Sequence, residues 1–422
     1  MSADTCVGAL LERSRASASA VALRFRHLGV WETTTWGQYG AAVETIAAGL
    51  ALVGVGSGVR VGLLAENSPE WLVAFFAIQL CGAVPVVVSP ALSAEAACDF
   101  LAGQSVFTVI AGDQEQFDKV EDARSGGLLS GVHHVVVIAT RGMRFLDAKE
   151  FSDDDVVLAW SKVAAPSGPF VSVDLSSESV GAVFFDGEKA IELTHKQMWD
   201  AGQRVVASLG VSSKDECMAL DSFADSTSLR HDVIAPVLSG MTVSMSPVPD
   251  LLLREIPEVR PTLVVAPSRI LTWIYADASR RADLTKGPKR FAYRAGLRRG
   301  RRRSPKAHPA VSPLVVASVI VGLLAFVLAS IPDSKQPLNR LGPSAILVLT
   351  FAAIAIAGGF TSCRSVRNLY GLGRIRSIVA YGEVLDPSVE QWFRAIGVPI
   401  EIGRVDDFSP VIPLIETVVA GS

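Results

Sequence analysis

The chain has 422 residues, half of them apolar, with a formal net charge of -3 at pH 7 and a positive mean hydropathy of +0.38. That length suits two or three domains, and a charge so close to zero excludes a global field that would gather nucleic acid or acidic partners. Cys6, Cys81, Cys98, Cys217 and Cys363 stand singly without C-x-x-C spacing, which argues against a zinc site and a disulfide framework and suits a reducing compartment.

In chain order, residues 1–20 hold acids and arginines but no apolar h-region, so a signal peptide is not expected. Short β-branched runs then alternate with helical patterns. VRVGLLAE (59–66), VPVVVSP (84–90), FTVIAG (107–112) and HHVVVIAT (133–140) are predicted strands, and PEWLVAFFAIQLCGA (69–83) is a predicted helix with Pro69 at its start. Further strands are predicted at VGAVFF (180–185), TLVVAP (262–267) and SIVAYG (377–382). Strands alternating with helices imply a largely parallel sheet. The Ser- and Pro-containing stretch 161–179 is a candidate linker.

The apolar excess has a location. Residues 311–331, VSPLVVASVIVGLLAFVLASI, carry no charge, and neither do residues 343–360, PSAILVLTFAAIAIAGGF. At ~1.5 Å rise per residue the first run matches a hydrocarbon core of ~30 Å. The turn between them, PDSKQPLNRLG, is too short for a domain. The pair therefore predicts a two-helix transmembrane hairpin. RAGLRRGRRRSPK (294–306) precedes it, Arg364 and Arg367 follow it, and the turn has only Lys335 and Arg340. This asymmetry puts both flanks on the cytoplasmic side, with the arginine run on anionic lipid rather than nucleic acid.

AENSPEW, the apolar helix after it and GAVPVVVSPALSAE, all within residues 61–103, resemble the N-terminal domain of the adenylate-forming (AMP-binding) superfamily, in particular its long-chain fatty-acid–CoA ligases. WETTTWGQYGAAVETIAAGL (31–50) is similar to the opening of that domain, and IRSIVAYGEVLDPSVEQWFRAIGVPIEIGRVDDFSPV (375–411) to a later block. The resemblance implies ATP- and Mg²⁺-dependent activation of a carboxylate to an acyl-adenylate, then transfer to coenzyme A.

It also locates the family's working parts. The phosphate loop, T-S-G-T-T-G-x-P-K-G, falls where this chain has VGAVFFDGEKAIELTH, about five residues short and without the hydroxyls that hold pyrophosphate. Asp186 and Glu188 bring negative charge there. Gly187, Lys189, Thr194 and His195 match the loop and its flank, and Gly382 matches a nucleotide-contacting glycine. The adenine and magnesium motif is replaced by GRVDDFSP (403–410), in which Asp407 is the candidate Mg²⁺ ligand and a solvated acidic loop is the alternative. The L-P-x-x-H segment reads MALDSFADSTSLR (218–230), without its histidine. No residue is assigned a catalytic role.

These readings combine into an α/β expectation: an acyl-CoA-synthetase-like N-terminal domain with mainly parallel sheets and flanking helices, interrupted by the transmembrane hairpin and lacking the family's C-terminal domain. The expected division is 1–290 and 361–422 for the adenylation-like domain, 291–310 for a basic juxtamembrane segment and 311–360 for the hairpin. The expected function is a multi-pass inner-membrane homologue of long-chain acyl-CoA synthetase, catalytically degenerate, with its soluble part cytoplasmic. It would bind an acyl chain, acyl-CoA or a partner enzyme and no nucleic acid. An active or partner-assisted fatty-acid–CoA ligase is the alternative.

Overall fold

The computed structural model describes residues 5–143, 156–165, 173–185, 189–246, 251–284, 293–294, 297–298 and 363–402. They fall into two compact units, the first ending at Leu252 and the second beginning at Leu253.

The first unit opens with α1 (Cys6–Ala16), the hairpin β1 (Val21–His27) and β2 (Val30–Thr35), and α2 (Trp36–Leu52). Then come β3 (Arg60–Leu64), α3 (Pro69–Leu80), β4 (Val84–Val88), α4 (Ala94–Gly103), β5 (Thr108–Ala111), α5 (Gln114–Ser125) and β6 (His134–Val137). After them lie β7 (Val157–Ala159), α6 (Trp160–Val163), β8 (Val180–Phe185), β9 (Ala190–Thr194) and α7 (His195–Leu209). Strands β3 to β9 form one sheet in the order β7-β6-β5-β3-β4-β8-β9. All neighbours are parallel except β8 and β9. A parallel sheet is covered on both faces, which is why β4 reads VPVVV with every residue buried. Val86, Leu101, Val109, Val135 and Val183 form part of its core.

Cap chemistry starts the helices. Ser68 accepts the Trp71 N–H at 3.1 Å, with Pro69 at the first helical position. Thr35 and Gln38 close a capping box on α2. The unit ends with β10 (Glu216–Met218), α8 (Ser226–Ser228), a π-helical turn (Leu229–Ile234), α9 (Ala235–Ser239) and β11 (Thr242–Met245). Here β11 lies between β10 and β1, parallel to both, and β2 runs antiparallel to β1.

The second unit holds α10 (Leu252–Val259), β12 (Leu263–Pro267), α11 (Ser268–Leu284), β13 (Ser377–Tyr381), α12 (Pro387–Ala395) and β14 (Ile400–Ile402). Its three strands are parallel, with β13 in the middle. Asp277 of α11 ties the unit together: it accepts Tyr370 Oη at 2.6 Å, Arg281 Nε at 2.6 Å and Arg280 Nη2 at 2.7 Å. Those bonds, the tyrosine's first, hold its carboxyl at about pKa 2. Trp392 is buried between Tyr275 and Phe393 and donates to Tyr293 Oη at 2.7 Å.

The expected membrane hairpin is corrected. A crossing helix needs about 20 apolar residues, and among the described residues no helix is long and apolar enough to cross a membrane. The longest, α2 and α11, have 17 residues each. Residues 311–331 and 343–360, on which the expectation stood, lie outside the described residues. The bilayer as partner and the multi-pass inner-membrane location rested on that hairpin and are withdrawn with it. All five cysteines are free and buried.

Candidate functional site

Ligands of open α/β sheets sit outside the carboxyl ends of the strands, where the strand order reverses. In the first unit that point is β3, flanked by β4 on one side and β5 on the other. The loop after β3 is the AENSPEW segment. Asn67 Nδ2 donates to the Asp221 carbonyl at 2.7 Å, and its Oδ1 accepts the Phe223 N–H at 2.8 Å. One amide thus clasps the segment that follows β10. Trp71 completes the joint, stacked on Phe75 at 5.3 Å and against Phe223 at 5.2 Å. Glu66 in the same loop has its carboxyl pushed up, first by burial and then by Asp113 and Glu115.

The clasped segment leads into a buried polar cluster. Asp225 caps α8 through Thr227 N at 2.8 Å and Ser228 N at 3.1 Å, and the π-helical turn then carries Arg230, His231 and Asp232. π-turns are rare and frequently mark functional sites. His231 Nδ1 lies 2.8 Å from the Thr227 carbonyl oxygen. Burial, then Arg230, lowers its pKa to about 4. Asp232 is completely buried beside the Cys217 thiol, and burial holds its carboxyl far above the usual range. Sequence reading missed this cluster, because the comparison of residues 218–230 stopped one residue short of His231. The signal was there: three consecutive ionisable residues, Arg230-His231-Asp232, entering the apolar run VIAPVL.

The sequence-predicted phosphate-loop residues separate. β8 and β9 pair as far as Phe185 with Ala190, which leaves residues 186–189 as the whole connection. Gly187 lies outside the described residues, and Lys189 is exposed. Thr194 caps α7: its Oγ1 accepts Gln197 N at 3.1 Å while Gln197 Oε1 accepts Thr194 N at 2.8 Å. His195 is buried beneath β8, where a Cβ on Gly181 would stand 3.0 Å from its Nδ1. Burial lowers its pKa to about 4, so the ring is neutral.

Both buried histidines have consequences for stability. Between pH 4 and 6.5 the unfolded chain binds protons that His195 and His231 refuse in the fold. Stability therefore rises with pH across that window, by about 3 kcal/mol per histidine. Asp232 works in the opposite sense, losing stability as pH climbs above the ordinary carboxylate range. Denaturant titrations across the window are expected to give His195→Gln a shallower rise than the parent, and equal slopes would refute the assignment.

In the second unit, β12 and β13 end side by side, Pro267 opposite Tyr381. Gly382 follows at φ +83°, a left-handed turn that favours glycine, with open space around its Cα. Ser268 Oγ reaches the carbonyls of Tyr381 at 3.2 Å and Glu383 at 2.7 Å, fixing that turn at the strands' carboxyl ends. Asp386 and Pro387 begin α12, the aspartate accepting Ser388 N at 2.7 Å. Asp407 lies outside the described residues. Among the described residues no group of three or more His, Cys, Asp or Glu could hold a metal ion.

Residues 186–189 contain no Ser or Thr, the Thr194 hydroxyl is engaged in a cap, and His195 carries no charge.

Largely parallel sheets with helices on their faces and turns pinned at the strands' carboxyl ends define an α/β fold. The chain belongs to the AMP-binding enzyme family, whose model matches residues 10–403. It is 40% identical over 90 residues to the long-chain-fatty-acid–CoA ligase heimdall of Drosophila melanogaster, an alignment covering 21% of this chain and 13% of the ligase. Its fold is similar to a benzoate CoA ligase from Burkholderia xenovorans LB400, at TM-score 0.61 and 14% identity over 95% of this chain and 60% of that one. It is likewise similar to the anthranilate CoA ligase AuaEII in complex with anthranoyl-AMP, at TM-score 0.59 and 18% identity over 94% of this chain and 60% of that one.

Two expectations change with these likenesses. The family match spans residues 10–403, and the reading of a domain interrupted by a transmembrane hairpin is withdrawn. The expected lack of a C-terminal domain is also withdrawn: the chain spans three fifths of these two ligases, and its last residue sets no limit on the protein.

Proposed function

We propose that the protein is an ATP-dependent carboxylate–CoA ligase acting on a fatty-acid-class substrate. The observation that carries this reading is the AMP-binding family match over residues 10–403. Further support comes from the 90-residue stretch resembling a long-chain-fatty-acid–CoA ligase and from a fold shared with acid–CoA ligases. AMP-binding enzymes use ATP and Mg²⁺. On this side of the reaction, the chain's own contribution is positional. Asn67 and Trp71 hold the Asp221–Phe223 segment at the edge where a carboxylate would enter, and Ser268 sets the Gly382 turn where the nucleotide would lie.

A second reading is favoured by the β8–β9 connection: a catalytically degenerate member of the family that binds an acyl chain or acyl-CoA without activating it. Four residues without a hydroxyl supply few donors for a charge that catalysis must stabilise. Carboxylate-dependent exchange of labelled pyrophosphate into ATP decides between the two. The ligase reading expects exchange that requires both Mg²⁺ and a long-chain fatty acid. Folded protein with no exchange above background overturns it in favour of the binding module.

A further inference from the structure

The second unit has a cleft of about 280 Å³ lined by Arg260, Arg364, Arg367, Arg374 and Asn368. It lies at the other end of the strands from the Gly382 turn. Arg260 comes just before β12 and Arg374 just before β13, so the cleft faces the amino ends of both strands. Residues 363–369 are helical, and positions 364, 367 and 368 therefore share one helix face.

The fold sets the backbone around this cluster. Gly371, at φ +69°, packs so tightly that a Cβ would stand 2.2 Å from the Ile256 carbonyl oxygen, which brings the 371–374 loop onto the end of α10. Arg260 itself sits at φ +53° and closes α10 through its N–H to Ile256 O at 2.8 Å, a position where glycine is the usual residue. Arg367 Nη1 donates to the Gly397 carbonyl at 3.1 Å, while its Nε is buried without an acceptor. Burial and the neighbouring Arg364 both bear on its guanidinium. Among the described residues no carboxylate lines the cleft. Arginines gathered around one cleft favour an anion between them, and planar guanidinium forks match the oxygens of phosphate groups.

We propose that this cleft binds a small, multiply charged oxyanion of the phosphate class, of about the size of pyrophosphate. A volume near 280 Å³ is at the small end of ligand pockets, which suits a free anion better than a broad surface. The site is independent of the ligase reading, since none of its residues belongs to the Gly382 or β8–β9 turns.

Calorimetric titration of the protein with sodium pyrophosphate, and with inorganic phosphate in parallel, tests this. Saturable binding is expected, tighter for pyrophosphate and weaker as salt rises. Arg364→Gln and Arg374→Gln are each expected to weaken it at least tenfold. Arg260→Gly is the safeguard against a folding artefact: glycine suits the positive φ, so this variant is expected to melt no lower than the parent yet still lose affinity. Pyrophosphate affinity unchanged in all three variants overturns the proposal. So does a protein that sediments with phosphatidic acid vesicles while ignoring free pyrophosphate, because that assigns the cluster to a lipid headgroup. Failure of the exchange assay leaves this titration unaffected.

Discussion

Trp71→Ala is expected to remove about 3–5 kcal/mol of stability, the range for deleting a large buried aromatic. The indole is fully buried, stacked on Phe75 and packed on Phe223, so its loss opens a cavity between α3 and the segment that Asn67 clasps. A typical domain has only about 5–15 kcal/mol to lose. The effect should appear as a lower denaturant midpoint at unchanged slope. Trp71→Phe is expected to cost much less than the alanine variant, because the indole Nε1 has no partner and the replacement keeps an aromatic ring in the stack. A loss below about 1 kcal/mol for the alanine variant would mean that the joint repacks freely. Asn67→Ala in the same background measures whether clasp and stack act as one unit, since coupled neighbours give non-additive losses.

The joint also explains why parts of this fold were legible in the sequence. AENSPEW carries its own instructions: Ser68 caps, Pro69 starts the helix and Trp71 packs. The central parallel strands announce themselves as continuous β-branched runs because both faces are buried. The hairpin β1–β2 does not, because VALRFRH is neither a continuous β-branched run nor a clean alternation: it carries Arg24, Arg26 and His27, and Arg24 pairs with Glu216 of β10 at 2.6 Å. The His231–Asp232 cluster stayed hidden for another reason. A π-turn is a change of hydrogen-bond register, and its residues have no characteristic spacing to read. Likewise, Arg280 and Arg281 stand at helical spacing from Asp277, but Tyr370 reaches it only through the fold. The hairpin expectation shows the limit of composition. An uncharged run of sufficient length permits a bilayer crossing without requiring one.

The second large effect expected concerns chemistry. Replacing residues 186–189 with a Gly/Ser/Thr-rich loop of the family's pattern, between Phe185 and Ala190, is expected to raise ATP–pyrophosphate exchange at least tenfold. Removing one preorganised donor from an anionic transition state typically costs a factor of 10²–10³, and the native connection lacks several. The graft has firm anchors. β8 and β9 remain paired on either side of it, and the Thr194–Gln197 capping box starts α7 independently of the turn. A control loop of equal length made of Gly and Ala separates the contribution of amides from that of hydroxyls. If the hydroxyl loop accelerates exchange and the control does not, the missing hydroxyls are what restrains nucleotide handling. If the grafted protein is folded and its exchange equals the native rate, the restraint lies elsewhere, and the Gly382 edge of the second unit becomes the place to search.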